Sequence, residues 1–228
     1  MAHGQTAPRQ LALALDHTES LAREDFLSGA CNAAALRLIE SWPAWPHGAM
    51  VLVGPEGSGK SHLAAIWAQA AGARRVAARA LELSGVPAAL ATGTLVVEDI
   101  AAGAFDEQAL FHLINLARED VAYVLLTART APAGWTFDIR DLGSRFKALP
   151  VVMLEPPDDG LLRAVLVKLF ADRQITVDEG VIGFLALRIE RSFAAARDVV
   201  ERLDSEAMRR QRPLTKPLAA EILRIGQT

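Results

Sequence analysis

Between Val53 and His62 the chain reads Gly54-Pro55-Glu56-Gly57-Ser58-Gly59-Lys60-Ser61, so the spacing G-x-x-x-x-G-K-S is met by Gly54, Gly59, Lys60 and Ser61. Each residue type has a chemical reason. Glycines let consecutive backbone N–H groups turn inward around phosphates. The lysine adds positive charge at the β- and γ-phosphates. The serine hydroxyl ligates Mg²⁺, and a helix starting there aims its positive dipole end at the anion. These eight residues and the adjoining His62 are the expected nucleotide contacts, with Ser61 also at the metal. Chemistry at a phosphate also calls on acids. Val96-Val97-Glu98-Asp99 ends an apolar run with two carboxylates. That pattern suits Mg²⁺ held at Glu98 and an attacking water oriented by Asp99. Thr127 ends a second such run, Leu125-Leu126-Thr127-Ala128-Arg129. A polar residue at a strand's C-terminal edge faces the ligand crevice of an open α/β sheet. Thr127 reads either as a residue that positions water or senses the γ-phosphate, or as an ordinary strand-end threonine.

The elements that must position these residues follow from hydrophobic patterning. Ala49–Val53 is a short apolar run without alternation, as in parallel sheets buried on both faces. It leads into the glycine loop, and a helix is predicted over Ser61–Ala71. Further strands are predicted at Arg75–Ala80, Thr94–Asp99, Val121–Thr127 and Val151–Leu154, the Val121 strand buried. Asp106–Arg118 reads as a helix with Asp106 as N-cap. Phe26–Glu40 reads as a turn followed by a helix with apolar positions at Ala35, Leu36 and Ile39. The segment from Trp42 to Gly48 is turn punctuation. Beyond Glu155-Pro156-Pro157-Asp158-Asp159 only helical signals appear, at Asp159–Ala171, Asp178–Glu190, Phe193–Arg209 and Lys216–Arg224. Strands alternating with helices mean a parallel α/β sheet. The expected organisation is an N-terminal arm (1–24), an α/β P-loop domain (25–156) and a small all-helical lid domain (157–228).

The 228 residues are 51% hydrophobic and carry a formal net charge of −3. That balance lacks the basic surplus of an electrostatic nucleic-acid binder. The lone Cys31 can form neither an internal disulfide nor a metal cluster and fits a reducing compartment, with core filling its expected role. Met1–Arg9 has no apolar core of a secretion signal, and no apolar run approaches the ~18 residues needed to span a bilayer. The reading is a cytoplasmic protein with no membrane partner. Met1–Arg9 is expected to be a disordered tail. In the following Gln10-Leu11-Ala12-Leu13-Ala14-Leu15, an extended backbone puts Leu11, Leu13 and Leu15 on one side. This suits a peptide laid in a partner's apolar groove with Gln10 anchoring one end, or a short strand packed on the chain's own domain.

Five features come in the order found in the AAA+ domain of DnaA-related proteins. They are the box Asp25-Phe26-Leu27-Ser28-Gly29, the P-loop, the strand ending Glu98-Asp99, the strand ending Thr127, and Asp141-Leu142-Gly143-Ser144-Arg145-Phe146. The chain resembles this family from about Asp25 to Leu223, and most of all its Hda-type regulators in their alphaproteobacterial form. The resemblance implies an AAA+ fold with a helical lid, a resident ADP or ATP with Mg²⁺, and adenine contacts at Phe26 and Leu27. It assigns Arg145 as an arginine finger acting in trans on ATP held by a neighbour, here DnaA. It further implies that Gln10, Leu11, Leu13 and Leu15 grip the DNA polymerase sliding clamp, with DNA reached only through the clamp, and that the outcome is negative regulation of replication initiation. A homo-oligomer is compatible with it. Two positions depart from the family pattern: Glu98 stands where Asp is usual, and Ala194 where a lid arginine senses phosphates, with Arg197 the expected substitute and Arg191 also near. These departures imply weak intrinsic ATPase activity. They argue against the runner-up reading, a self-acting ATPase of the helicase-loader kind. A small-molecule phosphotransferase lacks its acceptor site and arginine-rich lid, and a DnaA-like duplex binder is disfavoured by the charge and by an expected lack of the further DNA-binding domain.

Overall fold

Strands that are apolar at every position cannot leave one face in water, so they must be covered on both sides. A computed structural model, which describes residues 21–45, 48–119 and 122–225, shows this arrangement. Five parallel strands, β1 (Ala49–Val53), β2 (Arg74–Ala77), β3 (Thr94–Ile100), β4 (Tyr123–Ala128) and β5 (Val151–Met153), lie in the order β2-β3-β4-β1-β5. One face buries Val51, Val53, Leu95, Val97, Val124 and Leu126, against a core that takes in α4 (Glu107–Glu119), α5 (Arg140–Ala148) and the single turn α3 (Val86–Ala89). The opposite face buries Met50, Leu52, Val96 and Leu125 with α1 (Ala33–Glu40) and α2 (Lys60–Ala71). Period-two alternation thus sorts the side chains by face although the sequence itself does not alternate.

The ends of the helices are written locally. Asp106 Oδ1 accepts from Gln108 N and Ala109 N at the start of α4. Gly72, at φ +64°, closes α2 in the left-handed conformation that glycine adopts without strain. Beyond the sheet, α6 (Asp159–Asp172), α7 (Glu179–Ala186), α8 (Phe193–Arg210) and α9 (Lys216–Ile225) surround a separate core built on Leu166, Phe170, Leu185, Val200 and Leu218. Asp158, Asp178 and Ser192 cap the first three of these helices by accepting from backbone N–H groups three residues on. Each such cap stabilises by about 1 kcal/mol. No helix among the described residues is long and apolar enough to cross a membrane.

Several elements differ from their sequence-based expectations, each for a physical reason. The second strand stops at Ala77 and turns into a 3-10 turn over Ala78–Ala80. It is an edge strand paired only with β3, and that pairing ends at Ala77–Glu98, where β3 begins to bulge. The fifth strand is also an edge, with Val151 and Met153 exposed. The helix expected over Asp178–Glu190 is shorter, ending at Ala186. Helix α5 was not anticipated as a helix: it contains Gly143 and buries only Leu142 and Phe146, one turn apart, too sparse a periodicity to read. Cys31 is half-buried rather than a core residue. Burial, then the nearby Asp158 and Glu155, raise its thiol pKa despite a backbone hydrogen bond that lowers it. The tail and the Gln10–Leu15 peptide lie outside the described residues.

Candidate functional site

The strand order makes the site. With β4 between β1 and β3, the loop after β1, Thr127 near the end of β4 and Asp99 near the end of β3 meet along one C-terminal sheet edge. That edge, where the chain direction of successive crossovers reverses beside β1, is where open α/β sheets hold ligands.

The loop from Gly54 to Gly59 wraps tightly. A Cβ on Gly54 would lie 2.7 Å from Ser58 Oγ and 2.8 Å from Leu154 O, and Gly57 and Gly59 adopt φ +70° and +94°. Larger residues would close the space or strain the backbone. Lys60 is buried, and its Nζ donates to the carbonyls of Gly54 and Pro55, both at 2.7 Å. It has no ion pair among the described residues. Desolvation lowers its pKa most, with Asp99 raising it, Arg129 lowering it and Glu56 raising it. A buried ammonium held only by neutral carbonyls is short of negative charge, which a phosphate supplies. Ser58 Oγ is buried without a hydrogen-bond partner among the described residues. Helix α2 starts from Gly59 with no side-chain cap on its first N–H groups. The residues present therefore fit a nucleotide's phosphates. Ser61 is exposed at the head of α2, open to a metal ion.

The acidic pair divides its duties. Both Glu98 carboxylate oxygens accept from Arg75, at 3.1 and 3.0 Å, across the β2–β3 pairing. Holding a metal at Glu98 would require giving up that charge-assisted pair. Asp99 has no ion pair among the described residues and acts on Lys60 electrostatically. It sits in the left-handed region at φ +57°, on an irregularity in the β3–β4 register between Val97 and Ile100. The buried Thr127 accepts from Asp99 N through Oγ1 at 3.0 Å. The backbone N–H displaced from the ladder by the bulge thereby finds its partner. Thr127 is thus a positioning residue for Asp99.

Phe26 is buried beside the loop, its ring edge-on to His62 at 5.1 Å between centroids. His62 Nε2 meets Ala22 O at 2.9 Å. Leu27 is half-buried, its carbonyl accepting from Asn32 Nδ2, while Asn32 Oδ1 accepts from Gly29 N. Buried Asn32 therefore pins the segment that carries Phe26 and Leu27, a role no sequence signal announced. The lid closes over this corner. Phe193 N donates to Gly57 O at 2.9 Å, and a Cβ on Gly57 would fall 2.6 Å from Ala194 Cβ. Phe193 also faces Gly59. Lys168 of α6 pairs with Asp25 at 2.7 Å and with Asp172 at 2.9 Å, and those hydrogen bonds hold its ammonium pKa above the ordinary lysine value. Arg191 pairs with Asp159 at 2.9 Å. Half-buried Arg197 lies one turn beyond Ala194 in α8.

Arg145 is elsewhere. It lines an open cleft of about 510 Å³ with Trp45, Gly48, Ala49, Arg118 and Tyr123, and its guanidinium carbon sits 5.1 Å from the Phe111 ring centroid. Gly48, Ala49 and Tyr123 mark the N-terminal edge of the sheet, roughly 13 Å along β1 from the P-loop end at the usual rise per residue. No carboxylate among the described residues pairs with Arg145 or Arg118. No sequence motif marks Arg118, which stands in the last turn of α4.

Residues 159–223, covering α6 to α8 and most of α9, match the family model of the Hda lid domain. Among solved structures, the chain is similar to domain III of the Thermotoga maritima replication initiation protein DnaA, at 18% identity and a TM-score of 0.75, over 90% of this chain and 95% of that one. It is similar to AMPPCP-bound DnaA from Aquifex aeolicus at 16% identity and a TM-score of 0.64, over 79% and 64% of the two chains. It is also similar to the Thermotoga maritima RuvB Holliday junction branch migration motor at 18% and 0.65, over 86% and 65%. No curated protein matches by sequence. At these identities the structural likeness concerns the fold: a five-stranded parallel sheet followed by a helical lid, the fold of these AAA+ structures. The segment 159–223 matches the lid domain of Hda, and the fold of the chain is similar to that of DnaA domain III.

Proposed function

We propose that this protein regulates replication initiation by acting on nucleotide held by a partner. Its own P-loop holds ADP or ATP, with Ser61 and Glu98, the latter released from Arg75, serving Mg²⁺, and Phe26 and Leu27 at the adenine. Arg145 acts on the ATP of DnaA as an arginine finger, meeting the charge that develops on the phosphates. The chain docks on the sliding clamp through Gln10, Leu11, Leu13 and Leu15, reaches DNA through the clamp, and converts the initiator to its ADP form in the cytoplasm.

The observation that carries this reading is the separation of the two sites. Arg145 lies on the N-terminal sheet edge while Lys60 lies at the C-terminal edge, so the finger faces away from the chain's own phosphates. Its cleft opens outward and is also lined by Arg118, and among the described residues no carboxylate pairs with either arginine. The test is a reconstituted assay with ATP-loaded DnaA and clamp on DNA. Arg145→Ala is expected to keep nucleotide binding and clamp capture while lowering stimulated hydrolysis by about a thousandfold or more. Undiminished stimulation by that variant would overturn the role. Capture of the clamp by the intact chain, lost on changing Leu11 and Leu13 to Ala, tests the docking step separately.

A further inference from the structure

The lid offers the P-loop no arginine at position 194. Ala194 packs its methyl toward Gly57, and Arg191 is turned to Asp159. A different cation stands over the loop, and it comes from the sheet. Arg129 follows β4 directly, two residues after Thr127. Its backbone is held at the mouth of the loop, because Gly54 N donates to Ala128 O at 3.2 Å. Its Nη1 donates to Glu56 Oε2 at 2.6 Å, and Glu56 is the third residue of the phosphate-binding loop. The guanidinium is near enough to Lys60 to act on it as a like charge.

The pair is built to exchange. The side chains of Arg129 and Glu56 are 60% and 72% exposed. Ion pairs this exposed contribute little to stability, so a competing anion can displace the carboxylate. A terminal phosphate carries more charge and accepts the two parallel N–H bonds of a guanidinium.

We propose that Arg129 binds the terminal phosphate of a nucleoside triphosphate held in this chain's own P-loop, with Glu56 as its partner when that phosphate is missing. The proposal rests on the P-loop reading and extends it. The chain distinguishes triphosphate from diphosphate through its sheet domain, with a carboxylate in the loop competing for the same arginine. Glu56 sets the threshold, since the phosphate must displace it.

The test is binding of AMPPCP and of ADP to the full chain, measured by titration calorimetry. Arg129→Ala is expected to weaken AMPPCP by about ten- to a hundredfold, the range for a lost hydrogen bond to a charged group, and ADP by less than about twofold. Glu56→Gln is expected to tighten AMPPCP several-fold relative to ADP, and that relative gain is expected to vanish when Arg129→Ala is also present. Lys60→Ala is expected to lose both ligands. Equal weakening of both ligands by Arg129→Ala, or of neither, while Lys60→Ala abolishes binding, overturns the proposal and leaves the P-loop reading standing. Retention of both ligands by Lys60→Ala overturns the P-loop reading and the proposal with it.

Discussion

Replacing Gly57 with Ala probes how the lid meets the phosphate loop. Gly57 is held at φ +70°, and its added Cβ would lie 2.6 Å from Ala194 Cβ and 2.9 Å from Ala194 N. Two penalties follow. The left-handed conformation costs an L-residue about 1–2 kcal/mol. The contacts are far inside the optimum of about 3.5–4.0 Å, and relieving such overpacking costs about 1–3 kcal/mol. The struck atoms belong to the backbone and Cβ of α8, so no flexible side chain can swing away. Gly72→Ala is the matched control: its φ is +64°, and no atom of the described residues lies within 4 Å of the added Cβ. The control carries the first penalty alone. At about 2–4 °C per kcal/mol for a chain of this size, Gly57→Ala should melt about 2–12 °C below Gly72→Ala in thermal unfolding. Adding Ala194→Gly should recover part of that difference, since it removes the 2.6 Å contact and leaves the one to Ala194 N. Equal melting of the two alanine variants would refute the account, for it would mean that the lid does not bear on Gly57.

Thr127→Val strips the partner from Asp99 N and should destabilise the chain by about 1–3 kcal/mol, whereas Thr127→Ser keeps the acceptor and should lose much less. Thermal unfolding separates the two, and identical behaviour of Val and Ser would remove the hydrogen bond's role in holding Asp99. Nucleotide affinity should also depend on pH through Lys60. Burial lowers its pKa in the free protein, while bound phosphates favour the charged form. As pH rises through the lowered free-state value, the free protein loses a proton that the complex keeps, so binding takes up protons and weakens. Calorimetry in buffers of different ionisation enthalpy reads that uptake. Lys60→Arg, which stays charged, should abolish it, and an unchanged pH profile in that variant would assign the titration to another group.

The legible part of this protein is what short-range chemistry dictates. Gly54, Gly59, Lys60 and Ser61 announce a phosphate loop because glycines free inward N–H groups while the lysine and serine add a cation and a metal-ready hydroxyl at that spacing. The strand before the loop and the helix after it, the Asp106 cap and the four lid helices were likewise readable, since apolar periodicity and capping act within a few residues. The order β2-β3-β4-β1-β5 is decided only by packing of the whole sheet, and it is what brings Asp99, Thr127 and the loop to one edge. Partner choice for charged side chains is also a tertiary matter. Position at a strand end suits Glu98 to a metal, and only the fold adds that its carboxylate meets Arg75, 23 residues away in the chain. No local pattern beside Thr127 marks Arg129 as the partner of Glu56, 73 residues earlier. Sequence spacing fixes what a loop can bind because its atoms are covalently near. It does not fix which charge faces which across a sheet, because that depends on strand order and on competition among partners that meet only when the chain is folded.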